Sequence, residues 1–358
     1  MHDDANTLGQ LFMVGIPDPM IDSTTRAQLL DLRPGGVILF RRNYTDLKQL
    51  AALCEELHAL LPHQPPLIAL DHEGGRVHRL TAPFTHFPAA TVVGRTQSVE
   101  LAQRVGKAMG EELSSIGVDI DFAPVLDVLT NTANTVIGAR AFAADPQTVG
   151  LFGCAQARGL RAGGVIPCGK HFPGHGATQV DSHEDLPRDE RSLDALKQTD
   201  CQPFRMAIAE GIEMLMTAHI LYPALDAEYP ATLSQKTIEG LLRQQLGYQG
   251  VVVTDDLEMG AIVRRGAVEQ AAVQALCAGA DLLLICHKID FALAAREACL
   301  QALAEGILSS QRLEEARRRL AFLRRQHAQH RRASRVVIGS PEHQQLVEII
   351  MQRASEKV

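Results

Sequence analysis

An α/β fold of the (β/α)8 TIM-barrel kind, in a single domain, is what this chain predicts, on three observations. Eight short apolar runs follow one another between residues 11 and 287, and amphipathic segments of helical period lie between them. Near-continuous apolar runs of strand length read as strands buried on both faces, the mark of a parallel sheet covered by helices. Residues able to do chemistry stand at the C-terminal ends of these runs, which in a barrel meet on one face.

In chain order the runs are LFMVGI (11–16), GGVILF (35–40), PLIALD (66–71), VDIDFAPVLDV (118–128), GGVIPCGKH (163–171), EMLMTAHIL (213–221), GVVVTDD (250–256) and ADLLLICH (280–287). Apolar residues three and four apart predict helices over 45–61, 98–116, 145–162, 193–210, 234–246 and 267–278. No G-x-G-x-x-G follows the first run, which favours a barrel over a doubly wound sheet. The Arg-rich segment 309–335 carries Leu313, Ala316, Leu320 and Leu323 on one face and reads as the closing helix with a solvated basic side. Ser340-Pro341-Glu342 then opens a last helix, with serine as the cap and proline in the first turn. Residues 1–335 are expected to form the barrel, and 336–358 a C-terminal helical extension packed on it; no Ser/Gly/Pro-rich linker divides the chain.

Composition sets outer limits. The chain has 358 residues, 46% hydrophobic and 22% charged, with a formal net charge of -7. That deficit of cations argues against nucleic acid as a partner. The N-terminus has acids where a signal peptide has Lys or Arg, and no apolar run is long enough to span a membrane, so a cytoplasmic monomer is expected. Seven cysteines, an odd number without C-x-x-C, fit reduced buried thiols.

The densest chemistry lies in KHFPGHGATQVDSHEDLP (170–187), where Pro173-Gly174 forbids regular structure after a strand. Loops on a rigid scaffold are where catalytic groups are commonly placed. Strand ends add Asp71, Asp127, Lys170, His171, His219, Asp255, Asp256 and His287. Asp255 and Asp256 alternate across an extended segment, so only one can face a substrate. His171 and His175 have H-x-x-x-H spacing, yet Pro173 and Gly174 break any helix that would bring both rings to one metal, and no metal is expected.

Together, KHFPGHG followed by DSH and Pro, DHEGGRVHRL, IGARAF, MTAH and VTDDLEM resemble the single-domain bacterial β-N-acetylglucosaminidases of glycoside hydrolase family 3, the NagZ type, over roughly residues 8–325. The resemblance implies an exo-acting retaining enzyme that removes terminal N-acetylglucosamine from GlcNAc-anhydromuramoyl-peptides of cell-wall turnover, by double displacement through a glycosyl-aspartate and without a cofactor. Asp255 is implied as nucleophile in preference to Asp256. His183 is implied as acid/base, its ring oriented by Asp181; an imidazole of pKa about 6.5 can both give and take a proton near neutral pH. Asp71, Arg79, Arg140, Lys170 and His171 are implied as the groups that hold the sugar.

His72 stands where the family usually has Gln, and Ala139 where an acid is frequent. Arg76 reads as a structural ion-pair partner. His175 and His219 read equally as functional groups or as structurally hydrogen-bonded histidines. Three other chemistries suit the same residues. One is a β-N-acetylglucosaminide phosphorylase. A second is hydrolysis assisted by the substrate's acetamido group, and the third a Schiff-base lyase using Lys170.

Overall fold

The structure, a computed structural model, describes residues 7–178, 186–329 and 333–357. Among them are β1 (Phe12–Gly15), β2 (Gly36–Leu39), β3 (Leu67–Leu70), β4 (His72–Gly74), β5 (Val77–His78), β6 (Ile120–Asp121), β7 (Ile166–Phe172), β8 (Met214–Thr217), β9 (Val251–Asp256) and β10 (Leu282–Ile285). Eight close into a parallel barrel in the order β1, β10, β9, β8, β7, β6, β3, β2, while β4 and β5 form a separate antiparallel hairpin. Each apolar run supplies one barrel strand. Every residue of β1, β2, β3, β7, β8 and β10 is buried, as a strand covered on both faces requires.

The described residues group into two compact units. The first comprises 7–69, 186–190 and 217–325. Its helices begin where the sequence offers caps: Asp22 accepts from Thr25 N–H ahead of Ser23–Leu32, and Asp46 from Gln49 N–H ahead of Leu47–Leu60. Leu313, Ala316, Leu320 and Leu323 are buried on Ser310–His327, as their spacing predicts. The basic side of that helix is not wholly solvated. Arg312 and Arg319 turn inward and, with Arg243, surround the fully buried carboxylate of Asp281.

The second unit comprises 70–178, 191–216, 326–329 and 333–357. Helices Val99–Ser115 and Pro146–Ala162 are capped by Ser98 and Asp145. Ser340 caps Pro341–Ser355 as expected, its Oγ accepting from His343 N–H at 3.3 Å. Leu346 and Ile350 of that helix join Phe87, Val93, Val105 and Met109 in one apolar cluster.

Three elements differ from expectation. Only Ile120–Asp121 of the run 118–128 is strand. Pro124 has no N–H to give a ladder, and the following backbone instead sends Leu126 N–H to Lys170 O at 2.6 Å. The helix expected over 193–210 is two, Leu193–Gln198 and Cys201–Ala209. Pro203 would break a continuous helix in its interior but sits without penalty in a first turn. Residues Lys236–Gln245 wind as a π-helix, a form no periodicity of 3.6 announces. Among the described residues no helix is long and apolar enough to cross a membrane.

Candidate active site

β3 runs directly into the β4–β5 hairpin, so that Asp71, Glu73 and Arg79, all of the second unit, come from one short stretch of chain. Gly74 and Gly75 make its turn at φ +89° and +56°, conformations that a side chain rarely adopts. Lys170, on β7 and almost wholly buried, places Nζ 2.6 Å from Asp71 Oδ1 and 2.6 Å from Glu73 Oε1. Arg140 grips the same glutamate in a two-pronged contact, Nε to Oε2 and Nη2 to Oε1, both 2.8 Å. Arg79 reaches Asp71 Oδ2 at 3.4 Å.

The balance of charges decides which forms persist. Burial pushes the Glu73 carboxyl up, but Arg140 and Lys170 overcome it and hold the group well below the usual carboxylate range. Burial likewise opposes the charged form of Lys170, and Asp71 with Glu73 outweigh it, so the ammonium is held more firmly than in water. A Schiff-base nucleophile needs a neutral amine, and this environment disfavours one. Asp71 is lowered too: burial is the largest influence, but Lys170 and Arg79 together exceed it. Asp121 behaves oppositely. Burial lifts it well above the ordinary value, its Oδ1 accepts His72 N–H at 2.9 Å, and its Oδ2 has no hydrogen-bond partner among the described residues.

His171 is committed to Asp127. Its Nδ1 lies 2.7 Å from Asp127 Oδ2, while Asp127 Oδ1 accepts His175 N–H at 2.7 Å and His171 N–H at 3.2 Å. This fixes the ring's orientation. The His175 ring turns instead to Thr178 Oγ1 at 2.7 Å, and burial lowers its pKa to about 4. Among the described residues no group of three or more His, Cys, Asp or Glu side chains is arranged to hold a metal ion.

In the first unit, β9 ends in Asp255 and Asp256, whose surroundings differ. Asp256 is buried; its Oδ1 accepts N–H groups of Glu258 (3.1 Å) and Cys286 (3.2 Å), and His287 Nε2 lies 3.4 Å from Oδ2. Burial, with the nearby Glu258 and Asp255 charges, raises it to about 7. Asp255 is more exposed, and its Oδ1 accepts the N–H of Asp256 at 2.8 Å. His219 has both ring nitrogens engaged, Nδ1 with Thr232 Oγ1 and Nε2 with the carbonyl of Asp256, each at 2.8 Å. Its hydrogen bonds are therefore those of a brace on the end of β9.

The second unit thus brings Asp71, Arg79, Arg140 and Lys170 into one network and ties His171 to Asp127, whereas Asp255 belongs to the first unit. Asp181 and His183 lie outside the described residues. Arg76, expected to be an ion-pair partner, pairs with no carboxylate among the described residues; its Nη2 donates to the carbonyls of Thr135 and Val136. Sequence reasoning missed Glu73, which joins both cations. The signal was present, since Asp71 and Glu73 stand two apart and share one side of an extended segment.

Residues 5–323 match the family described as Glycosyl hydrolase family 3 N terminal domain. A protein of Thiobacillus denitrificans named beta-hexosaminidase is 44% identical over 292 residues, 80% of either chain. Among solved structures, a glycoside hydrolase family 3 β-N-acetylglucosaminidase from Paenibacillus is similar at a TM-score of 0.93 and 38% identity, over 98% of this chain and 68% of that one. Native NagZ from Neisseria gonorrhoeae is similar at 0.82 and 33% identity, over 96% of this chain and 97% of that one.

Proposed function

This chain belongs to glycosyl hydrolase family 3, and from that premise we propose an exo-acting, retaining β-N-acetylglucosaminidase that releases terminal N-acetylglucosamine from GlcNAc-anhydromuramoyl-peptides. The glycosidase class and the β-N-acetylhexosaminide substrate rest on the family and on relatives bearing those names. The muropeptide aglycone rests on the motif resemblance. A cytoplasmic monomer completes the reading, and seven free cysteines fit a reducing compartment.

The observation that carries the reading is the division of labour at the end of β9. A retaining glycosidase needs an ionised carboxylate to attack the anomeric carbon. Asp256 is buried, raised to about 7 and held by the N–H groups of Glu258 and Cys286, so the carboxylate assigned to the attack is its more exposed neighbour Asp255. In the first half-reaction Asp255 forms the C–O bond to the anomeric carbon as the glycosidic bond breaks, and His183 gives its proton to the leaving oxygen. In the second, His183 takes a proton from water, whose oxygen displaces Asp255 and restores the β configuration. Asp181 orients the imidazole. Asp71, Arg79, Arg140, Lys170 and His171 bind the sugar, Glu73 holding Arg140 and Lys170 in place.

The test is mass spectrometry after reaction with a slow, fluorinated N-acetylglucosaminyl donor. One sugar on a peptide containing Asp255 is expected. A label on Asp256, or turnover without any covalent species, would overturn the assignment.

A further inference from the structure

Glu112 stands in register with Leu101, Val105 and Met109 on the apolar face of Val99–Ser115, is almost fully buried and accepts from four groups. Its Oε2 accepts Thr85 N–H at 2.9 Å, and its Oε1 accepts Thr85 Oγ1–H at 2.5 Å. Oε1 also meets His343 Nδ1 at 2.8 Å and the N–H of Gly339 at 3.1 Å. His343 belongs to the last helix, and its Nε2 lies 3.4 Å from Glu111 Oε2. One carboxylate therefore joins the C-terminal segment to the loop that follows the β4–β5 hairpin.

Three further contacts fix that joint. Gly339 turns at φ +62° with its Cα against the carbonyl of Pro83, where a Cβ would collide. The rings of Phe87 and His343 pack at 6.3 Å between centroids, and Arg353 Nε donates to Thr96 O at 3.0 Å. The loop in turn holds the hairpin. Phe87 O accepts Gly75 N–H at 2.9 Å, and the rings of His86, His78 and His72 pack in sequence, the first pair edge-on at 4.4 Å and the second tilted at 4.1 Å. His72 pairs with His78 across the hairpin, between Asp71 and Arg79.

We infer that Glu112 and His343 are positioning residues: through them the C-terminal helix sets the loop 81–89, and through it the hairpin that presents Asp71, Glu73 and Arg79 to the sugar. This rests on the sugar-binding role proposed above. A buried carboxylate with four donors has no soft direction, since any displacement strands a donor or the charge itself. Small displacements of binding groups cost rate and affinity out of proportion to their size. The family match ends at residue 323, so the brace comes from a part of the chain beyond it.

The experiment compares wild type, His343→Ala, His343→Gln and Leu320→Ala on an aryl β-N-acetylglucosaminide, well below every variant's melting temperature. Leu320 is buried on Ser310–His327 and belongs to neither the loop 81–89 nor the last helix, so its truncation reports loss of stability. His343→Ala should raise KM about fivefold or more while kcat of the folded fraction stays within about twofold. His343→Gln, which keeps a donor for Glu112, should recover most of that loss, and Leu320→Ala should lower Tm with KM unchanged. Hydrogen exchange over residues 72–79 is read in parallel and needs no substrate: faster exchange in His343→Ala but not in Leu320→Ala is expected. Equal KM in all four proteins, or equal effects of the two alanine variants on KM or on exchange, overturns the inference. A wild type that exchanges as expected but does not cleave the glycoside overturns the functional reading alone.

Discussion

Asp255 Oδ1 accepts the backbone N–H of Asp256 at 2.8 Å; of these two consecutive acids at one strand end, Asp256 is the buried one, its carboxyl raised to about 7. Neighbouring carboxyls whose environments differ take different roles, the ionised one serving as nucleophile. Asp255→Asn should lower kcat by about 10³-fold or more on any β-N-acetylglucosaminide, and Asp256→Asn by less than about tenfold. Steady-state kinetics with an aryl substrate decides; comparable losses would remove the distinction.

Asp256 also makes a stability prediction. Its folded pKa stands above the unfolded value, so the folded state favours the protonated acid, and stability falls as pH rises from about 4 to about 7. Asp256→Asn should be more stable than wild type at pH 8 by about 2–4 kcal/mol and nearly equal to it at pH 4. Urea denaturation at both pH values measures the difference. A pH-independent offset would mean that this carboxyl is not raised.

Histidines predict the opposite trend in acid. Burial, with the neighbouring rings, lowers His72 well below its ordinary value and His78 to about 4. Both are neutral in the folded state, so the stability they permit is intact above about pH 6.5 and declines as pH falls toward 4. His72→Gln should flatten that decline. Midpoints of thermal unfolding from pH 4 to 7 check it, and parallel curves for the two proteins would refute it.

Lys170 is predicted to be a fixed charge. Removing it in Lys170→Met leaves Asp71 and Glu73 without their shared ammonium, a loss that should cost about 3–5 kcal/mol and most sugar affinity. Borohydride treatment with carbonyl compounds should leave Lys170 unlabelled. A reduced adduct there would revive the lyase reading. With the β-N-acetylglucosaminide, added phosphate should not divert product from free N-acetylglucosamine to its 1-phosphate; diversion would identify a phosphorylase.

Asp281 separates folding from catalysis. It balances Arg243, Arg312 and Arg319 from full burial in the first unit. Asp281→Asn leaves three guanidinium groups undercompensated and should destabilise the protein by about 3–5 kcal/mol. KM of the folded enzyme should not change, as substrate titration below the melting temperature will tell.

The barrel was legible in the chain because strand burial is written locally. Runs such as Leu282–Ile285 are apolar throughout, and caps such as Ser98 and Asp145 stand beside the helices they start. Sugar-binding candidates were legible through motifs, and four of them do share one network. What stayed hidden depends on partners far away in sequence. Spacing puts Glu112 on the apolar face of its helix, but nothing near it names its partners, because Thr85, Gly339 and His343 arrive from elsewhere. Glu73 was passed over for the same reason: Arg140 and Lys170, which give it meaning, lie 67 and 97 residues further on (140 − 73; 170 − 73).

The grip of Arg140 and Lys170 on Glu73 carries a kinetic corollary. Guanidinium, ammonium and carboxylate are locked together by folding, so a sugar bound there, as proposed, leaves few rotamers to freeze. Ligands differing by one hydroxyl group should then arrive at similar speeds and part company in how long they stay.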